Sequence, residues 1–145
     1  MKLLKNKYLL FLIRIILGFI FIYAGIEKIS DPEGFALSIS NYRLLPIWTV
    51  NIFAITLPWI ELIAGLLLLF GILVKENSSI ILFFLCVFTI AVIISLFRGL
   101  NIECGCFGKG NQIGLLKLTE NLLMIIGAVI LTFFGSDYFK ITGKD

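Results

Sequence analysis

Residues 8–26 read YLLFLIRIILGFIFIYAGI, an almost unbroken apolar stretch with a single charge at Arg14. The stretch is long enough for a helix to cross the hydrocarbon core of a bilayer. A secretory signal peptide has a shorter apolar region that ends in a cleavage site of small residues. We therefore predict a retained transmembrane helix over residues 8–26, and this helix decides the fold.

The composition extends this interpretation to the whole chain. Of its 145 residues, 60% are hydrophobic and only 14% are charged, and the mean hydropathy is +1.09. A soluble domain carries about a quarter charged residues. Three further apolar segments predict helices at 49–73, 80–97 and 115–134. We expect one domain over residues 1–145, an all-α, integral membrane four-helix transmembrane bundle.

The composition also excludes several kinds of function. The chain has no histidine, which argues against haem, against most zinc and copper sites and against a histidine-based triad. We therefore expect neither a metal nor a haem. The net charge is +3, and no basic stretch interleaved with aromatics suggests nucleic acid.

Two charges inside predicted helices are candidate site residues, Arg14 and Glu61. Arg14 shares a helical face with Gly18, Phe21 and Gly25, so it either meets a buried partner or extends to the headgroups. An intramembrane glutamate is a functional-site hypothesis by default. Three roles stay open for Glu61: an ion pair with Arg14, a neutral carboxyl, or contact with a proton or ligand.

The segment 98–114 contains the remaining chemistry, Cys104-Gly105-Cys106. A disulfide between cysteines this close has poor geometry, and a strained disulfide exchanges readily. The pair is therefore either a redox-active disulfide or two ordinary loop thiols. Cys86, at the centre of the third predicted helix, is interpreted as a small hydrophobic residue.

Neighbouring charges bear on the reactivity of these thiols. Lys28, which we place in the loop 27–48, or Lys109 could stabilise a thiolate, whereas Glu103 would oppose it. That loop contains Asp31-Pro32, which predicts a turn or a helix start, and a short surface helix there is an open alternative. Glu120 lies near the start of the fourth predicted helix, on the side of the membrane where the cysteine loop lies. Its simplest role is a surface pair with Lys117.

The lysines of the N-terminal tail set the expected orientation. Lys2, Lys5 and Lys7 precede the first helix, and the first helix usually dominates orientation. We expect both termini in the cytoplasm and the cysteine loop outside the plasma (inner) membrane, where disulfides persist.

These landmarks resemble the MauE/DoxX family of redox-associated membrane proteins, and the MauE branch in particular. The resemblance rests on four segments in this order: residues 21–35 (with FIYAGIEK and Asp31-Pro32), NYRLLP at 41–46, LPWIE at 57–61, and CGCFG at 104–108. It implies a four-helix bacterial membrane protein linked to thiol–disulfide redox. In methylamine users, such proteins are thought to help mature the disulfide-rich small subunit of methylamine dehydrogenase.

Two functions remain open from the sequence. The first is a thiol–disulfide oxidoreductase in which Cys104 and Cys106 exchange with a thioredoxin-like or disulfide-rich protein and electrons leave through a quinone. The single pair leaves no second pair for a relay. The second is a non-enzymatic scaffold, embedded in membrane lipid, that docks a redox or substrate protein. Transport would require a homo-oligomer, since four helices leave little room for a path.

Overall fold

The computed structural model describes residues 3–99 and 115–135, and the regular structure within them is helical. A short 3-10 turn at Leu3–Lys5 precedes α1 (Lys7–Ser30), α2 (Pro32–Asn41), α3 (Ile47–Phe70), α4 (Val74–Phe97) and α5 (Leu115–Phe134). Helices α1, α3 and α4 are each long and apolar enough to cross a membrane, and α5 contains a shorter apolar segment, Leu118–Phe134. The predicted all-α membrane bundle is confirmed.

The first connection is shorter than predicted because α1 continues to Ser30. Lys28 therefore lies in a membrane helix, and its assignment to a loop was wrong. Helix α2 begins immediately afterwards: the Asp31 carboxylate accepts a hydrogen bond from the Gly34 amide at 3.1 Å, and Pro32 occupies the first turn. Both are strong helix-start signals. The segment predicted as a loop thus contains the surface helix that had been the alternative.

The connection between α3 and α4 also differs from the prediction. Gly71 ends α3 in the left-handed region at φ 72°, and the Ile72 amide donates back to the Leu67 carbonyl at 2.9 Å. This is the glycine-terminated ending that commonly stops a helix. Residues 74–79, predicted as a polar turn, instead form the start of α4, because the Asn77 side chain donates to the Ile72 carbonyl at 2.7 Å.

Helices α1 and α3 pack antiparallel with their backbones in close approach. A Cβ atom at Gly65 would lie 2.9 Å from both the Gly18 carbonyl oxygen and the Ile22 amide nitrogen. Two turns further along, a Cβ at Gly25 would lie 3.0 Å from the Pro58 carbonyl oxygen. Small residues allow membrane helices to approach in this way. They fix the register, in which Gly18 is level with Gly65 and Gly25 is level with Pro58.

The largest apolar core lies at the end of the bundle where α1 begins and α5 ends. Leu17, Leu68, Ile81 and Leu131 are at most 3% exposed there. A smaller cluster of Tyr42 and Val92 lies at the opposite end of the bundle, where α2 ends. The polar groups discussed next lie between these two clusters.

The close approach of α1 and α3 predicts an unequal response to alanine at two glycines. In Gly65→Ala the new methyl meets two backbone atoms, whereas in Gly127→Ala its nearest neighbours are side-chain atoms, the Ile13 Cγ2 at 3.2 Å and the Leu17 Cδ1 at 3.4 Å. Both variants gain helix propensity, about 1 kcal/mol, so this term cancels between them. We expect Gly65→Ala to be less stable by about 1–3 kcal/mol because overpacked backbones must separate. Denaturant unfolding in one detergent measures the difference, and equal stabilities would contradict the proposed register.

Candidate functional site

A buried ion pair joins α1 to α3. The Lys28 ammonium donates to both carboxylate oxygens of Glu61, at 2.9 Å to Oε1 and 2.8 Å to Oε2. The two side chains are 6% and 3% exposed. A charge is tolerated inside a membrane bundle when it faces inward and meets a partner. Each residue supplies that partner for the other.

Aromatic rings from two further helices surround the ammonium group. The Lys28 Nζ lies 5.0 Å from the ring centre of Phe35 on α2 and 5.2 Å from that of Phe88 on α4. At these distances the negative faces of the rings attract the cation. The pair therefore ties α2 and α4 to α1 and α3, so that four helices meet at one ammonium group.

A cavity of about 30 Å³ adjoins the pair. Lys28, Glu61 and Asn121 of α5 contribute its polar lining, together with apolar side chains such as Met124. The wall of the cavity is mainly apolar. Asn121 is buried, and its amide also approaches the Thr89 hydroxyl at 3.5 Å. The fifth helix is thus linked to the same polar centre.

The structure contradicts the suggested pairing of Glu61 with Arg14. Arg14 lies 14 residues before Lys28 on α1, which is about 21 Å along a helix axis. In the observed register it is level with the end of α3 rather than with Glu61. Its side chain is buried, and its guanidinium lies 5.0 Å from the ring centre of Phe11. The interpretation of Arg14 as a buried inward-facing residue agrees with this position.

Lys28 was missed as an intramembrane residue, although the helical pattern contained the signal. Gly18, Phe21 and Gly25 were placed on one face, and Lys28 continues that face with the next spacing of three. All four residues are buried in α1. Charged neighbours and the following proline suggested a loop, and they outweighed this periodicity in the prediction.

The other predicted residues lie apart from this centre or outside the described residues. Glu120, near the start of α5, lines a groove between α1 and α5. Cys86 is exposed on α4, and its interpretation as a small hydrophobic residue stays a prediction. Cys104 and Cys106 lie outside the described residues, as does the side chain of Lys117, so neither the thiol pair nor the Lys117–Glu120 pair is tested.

The ion pair predicts strong coupling between Lys28 and Glu61. Lys28→Met or Glu61→Met alone leaves one buried charge without its partner, and we expect each to lower the free energy of unfolding by about 3–5 kcal/mol. The double variant removes both charges and should recover much of that loss. Unfolding of all four proteins in one detergent gives the coupling energy.

The control for this cycle is Glu33→Gln, which removes an exposed carboxylate on α2. We expect this control to change stability by no more than about 0.5 kcal/mol. Losses that simply add in the double variant would show that the two side chains do not interact.

Comparison with known proteins places this chain in a family. The sequence model of the family described as methylamine utilisation protein MauE matches residues 6–134. The methylamine utilization protein MauE of Methylorubrum extorquens is 32% identical over 111 residues, covering 76% of this chain and 60% of that protein. Its namesake in Paracoccus denitrificans is 30% identical over 124 residues, covering 85% and 64%.

A third relative carries a different name. Protein TlpB of Flavobacterium psychrophilum is 30% identical over 119 residues, covering 75% of this chain and 32% of that protein. No solved structure matches the chain. The chain spans about three fifths of the length of the two MauE proteins that it matches. Since the family match covers most of the chain, this multi-pass membrane protein belongs to the MauE family.

Proposed function

We propose that this protein supports thiol–disulfide redox chemistry outside the cytoplasm, in the maturation of a redox partner protein used in methylamine metabolism. The observation that carries the proposal is the Cys104-Gly105-Cys106 sequence in a member of the MauE family. The relatives named methylamine utilization protein supply the metabolic context.

The attachment of the cysteine segment supports this role. Helix α4 ends at Phe97 and α5 begins at Leu115, so residues 98–114 are attached at both ends to one face of the bundle. At this face the Arg98 guanidinium donates to the Tyr42 carbonyl at 3.4 Å, which links the end of α4 to the end of α2. Thiols attached in this way are suited to meeting a partner protein at the membrane surface.

The proposed reaction is a balanced exchange of two electrons and two protons. A thiolate of a thioredoxin-like or disulfide-rich partner attacks one sulfur of the Cys104–Cys106 disulfide, and the other sulfur leaves as a thiolate. A second partner thiol resolves the mixed disulfide, which leaves the partner oxidised and Cys104 and Cys106 reduced. Reoxidation transfers two electrons and two protons to a membrane quinone, which leaves as the quinol.

A groove between α1 and α5 supports the quinone part of the proposal. Its volume of about 580 Å³ lies within the range of small-molecule sites. Its walls are mainly apolar, with Ile16 and Leu123 among them. Glu120 lies at the end nearer to the cysteine segment, where a carboxyl group could exchange a proton with a quinone oxygen.

The proposed orientation places both termini in the cytoplasm and residues 98–114 outside the inner membrane. The three tail lysines Lys2, Lys5 and Lys7 favour this orientation. The burial of Lys28 between α1 and α3 supports it further, because a lysine paired inside the bundle no longer counts as a loop charge on the opposite side.

The alternative is a non-enzymatic scaffold that docks a redox or substrate protein. One observation favours it: the polar centre around Lys28 and Glu61 joins helices through contacts that need no thiol chemistry. In this alternative the cysteines only shape their segment, and their oxidation state has no effect on function.

The redox state of the thiols in living cells separates the two functions. Cells are quenched in acid, free thiols are alkylated, disulfides are reduced and labelled with a second reagent, and the peptide masses are read. We expect a mixed population of Cys104 and Cys106 that moves toward the dithiol when quinone is depleted. Thiols that stay fully reduced or fully bridged in both conditions would support the scaffold.

The same cells test the orientation when a membrane-impermeant thiol reagent is added before the quench. Reduced Cys104 or Cys106 should react from outside intact cells, whereas Cys86, within the α4 span, should not. Labelling that requires lysis would contradict the proposed orientation. Cys86→Ala is the matched control, because it removes a thiol without affecting the proposed pair.

A further inference from the structure

An apolar cavity of about 450 Å³ lies between α2, α3 and α4, away from the groove beside Glu120. Six aromatic side chains contribute to its wall: Phe35, Tyr42, Phe53, Phe83, Phe84 and Phe88. The Ser38 hydroxyl also belongs to the wall, but it donates to the Gly34 carbonyl within α2 at 3.0 Å. A cavity lined in this way excludes water and accepts hydrocarbon.

The cavity opens toward the bilayer rather than toward water. Phe83 and Ile90, which line it, are 65% and 57% exposed on the surface of the membrane-spanning helix α4. An apolar chain can therefore enter sideways from the hydrocarbon core. A water-soluble ligand would have no such path.

The rim of the cavity carries two positive charges at the end of the bundle where α2 and α4 end. Arg98 donates to the carbonyl of Tyr42 at 3.4 Å, and Arg43 lies between Tyr42 and Leu44, which both line the cavity. Both arginine residues are exposed. The carboxylate of Glu33 lies in a groove on the other side of α2. The rim therefore attracts an anion.

We propose that this cavity binds one acyl chain of an anionic phospholipid, with the phosphate at Arg43 and Arg98. Guanidinium groups pair with phosphate through charge-assisted hydrogen bonds, and basic sites between membrane helices are known to hold anionic headgroups. The chain would fill the space between α2 and the α3–α4 pair. The lipid would thereby hold α2, and with it Phe35 over Lys28, against the bundle. This inference does not depend on the proposed thiol chemistry.

Native mass spectrometry and nanodisc titration of the full-length protein test this proposal. The probes are phosphatidylglycerol, phosphatidylcholine with the same acyl chains, oleate and a neutral prenylquinone. We expect the unmodified protein to retain one phosphatidylglycerol. The double variant Arg43→Gln with Arg98→Gln should bind it at least about tenfold more weakly, since each arginine near a lipid headgroup contributes about fivefold. Arg98→Lys, which keeps the charge, should lose much less.

A second variant tests the cavity independently of the rim. Ala91→Phe places a ring in the lined volume and should abolish retention, whereas Ile93→Phe adds the same ring to an exposed face of α4 outside the lining. Equal binding of phosphatidylcholine, stronger binding of oleate, or displacement of the phospholipid by the quinone would overturn the proposal. Unchanged retention in the glutamine double variant would overturn it even if Ala91→Phe failed to fold.

Discussion

The ion pair between Lys28 and Glu61 is the interaction on which the arrangement of the helices depends. A single charge in this bundle would be costly, because the surrounding hydrocarbon offers no water to solvate it. With both charges present, the carboxylate accepts two hydrogen bonds and the ammonium lies beside two rings. The need to satisfy one charge therefore brings α1, α2, α3 and α4 to a common point. Burial alone would not specify such a point, because hydrocarbon tails solvate apolar faces as well as other helices do.

The glycines and the ion pair fix the same register by different physical means. The Gly18–Gly65 approach is steric and acts through backbone atoms, while the Lys28–Glu61 pair is electrostatic and acts through long side chains. A shift of α1 along α3 by one turn, about 5.4 Å, would break both. Agreement between independent constraints is what makes one packing arrangement much more favourable than its competitors.

Hydropathy and helical periodicity predicted the positions of α1, α3, α4 and α5 and the inward face of α1. They did not predict the partner of Glu61. That choice depended on the register of two helices, and the register depends on how closely Gly65 lets the backbones approach. Composition around Lys28 was also misleading, because the Asp31-Pro32 start of α2 resembles the end of a membrane segment. The thiol pair, which the sequence singled out most clearly, lies outside the described residues, so its chemistry remains a proposal.

In the proposed account of this MauE family member, the Lys28–Glu61 ion pair holds the helices together as a frame. The segment between α4 and α5 carries the thiols that react. The frame depends on Glu61 being ionised, since a neutral carboxyl would leave Lys28 without a counter-charge. Isotope-edited infrared spectroscopy of the protein in bilayers, as the difference from Glu61→Gln, observes that group directly. The account predicts carboxylate bands for Glu61 in the unmodified protein at neutral pH. A protonated carboxyl band in the unmodified protein would contradict it.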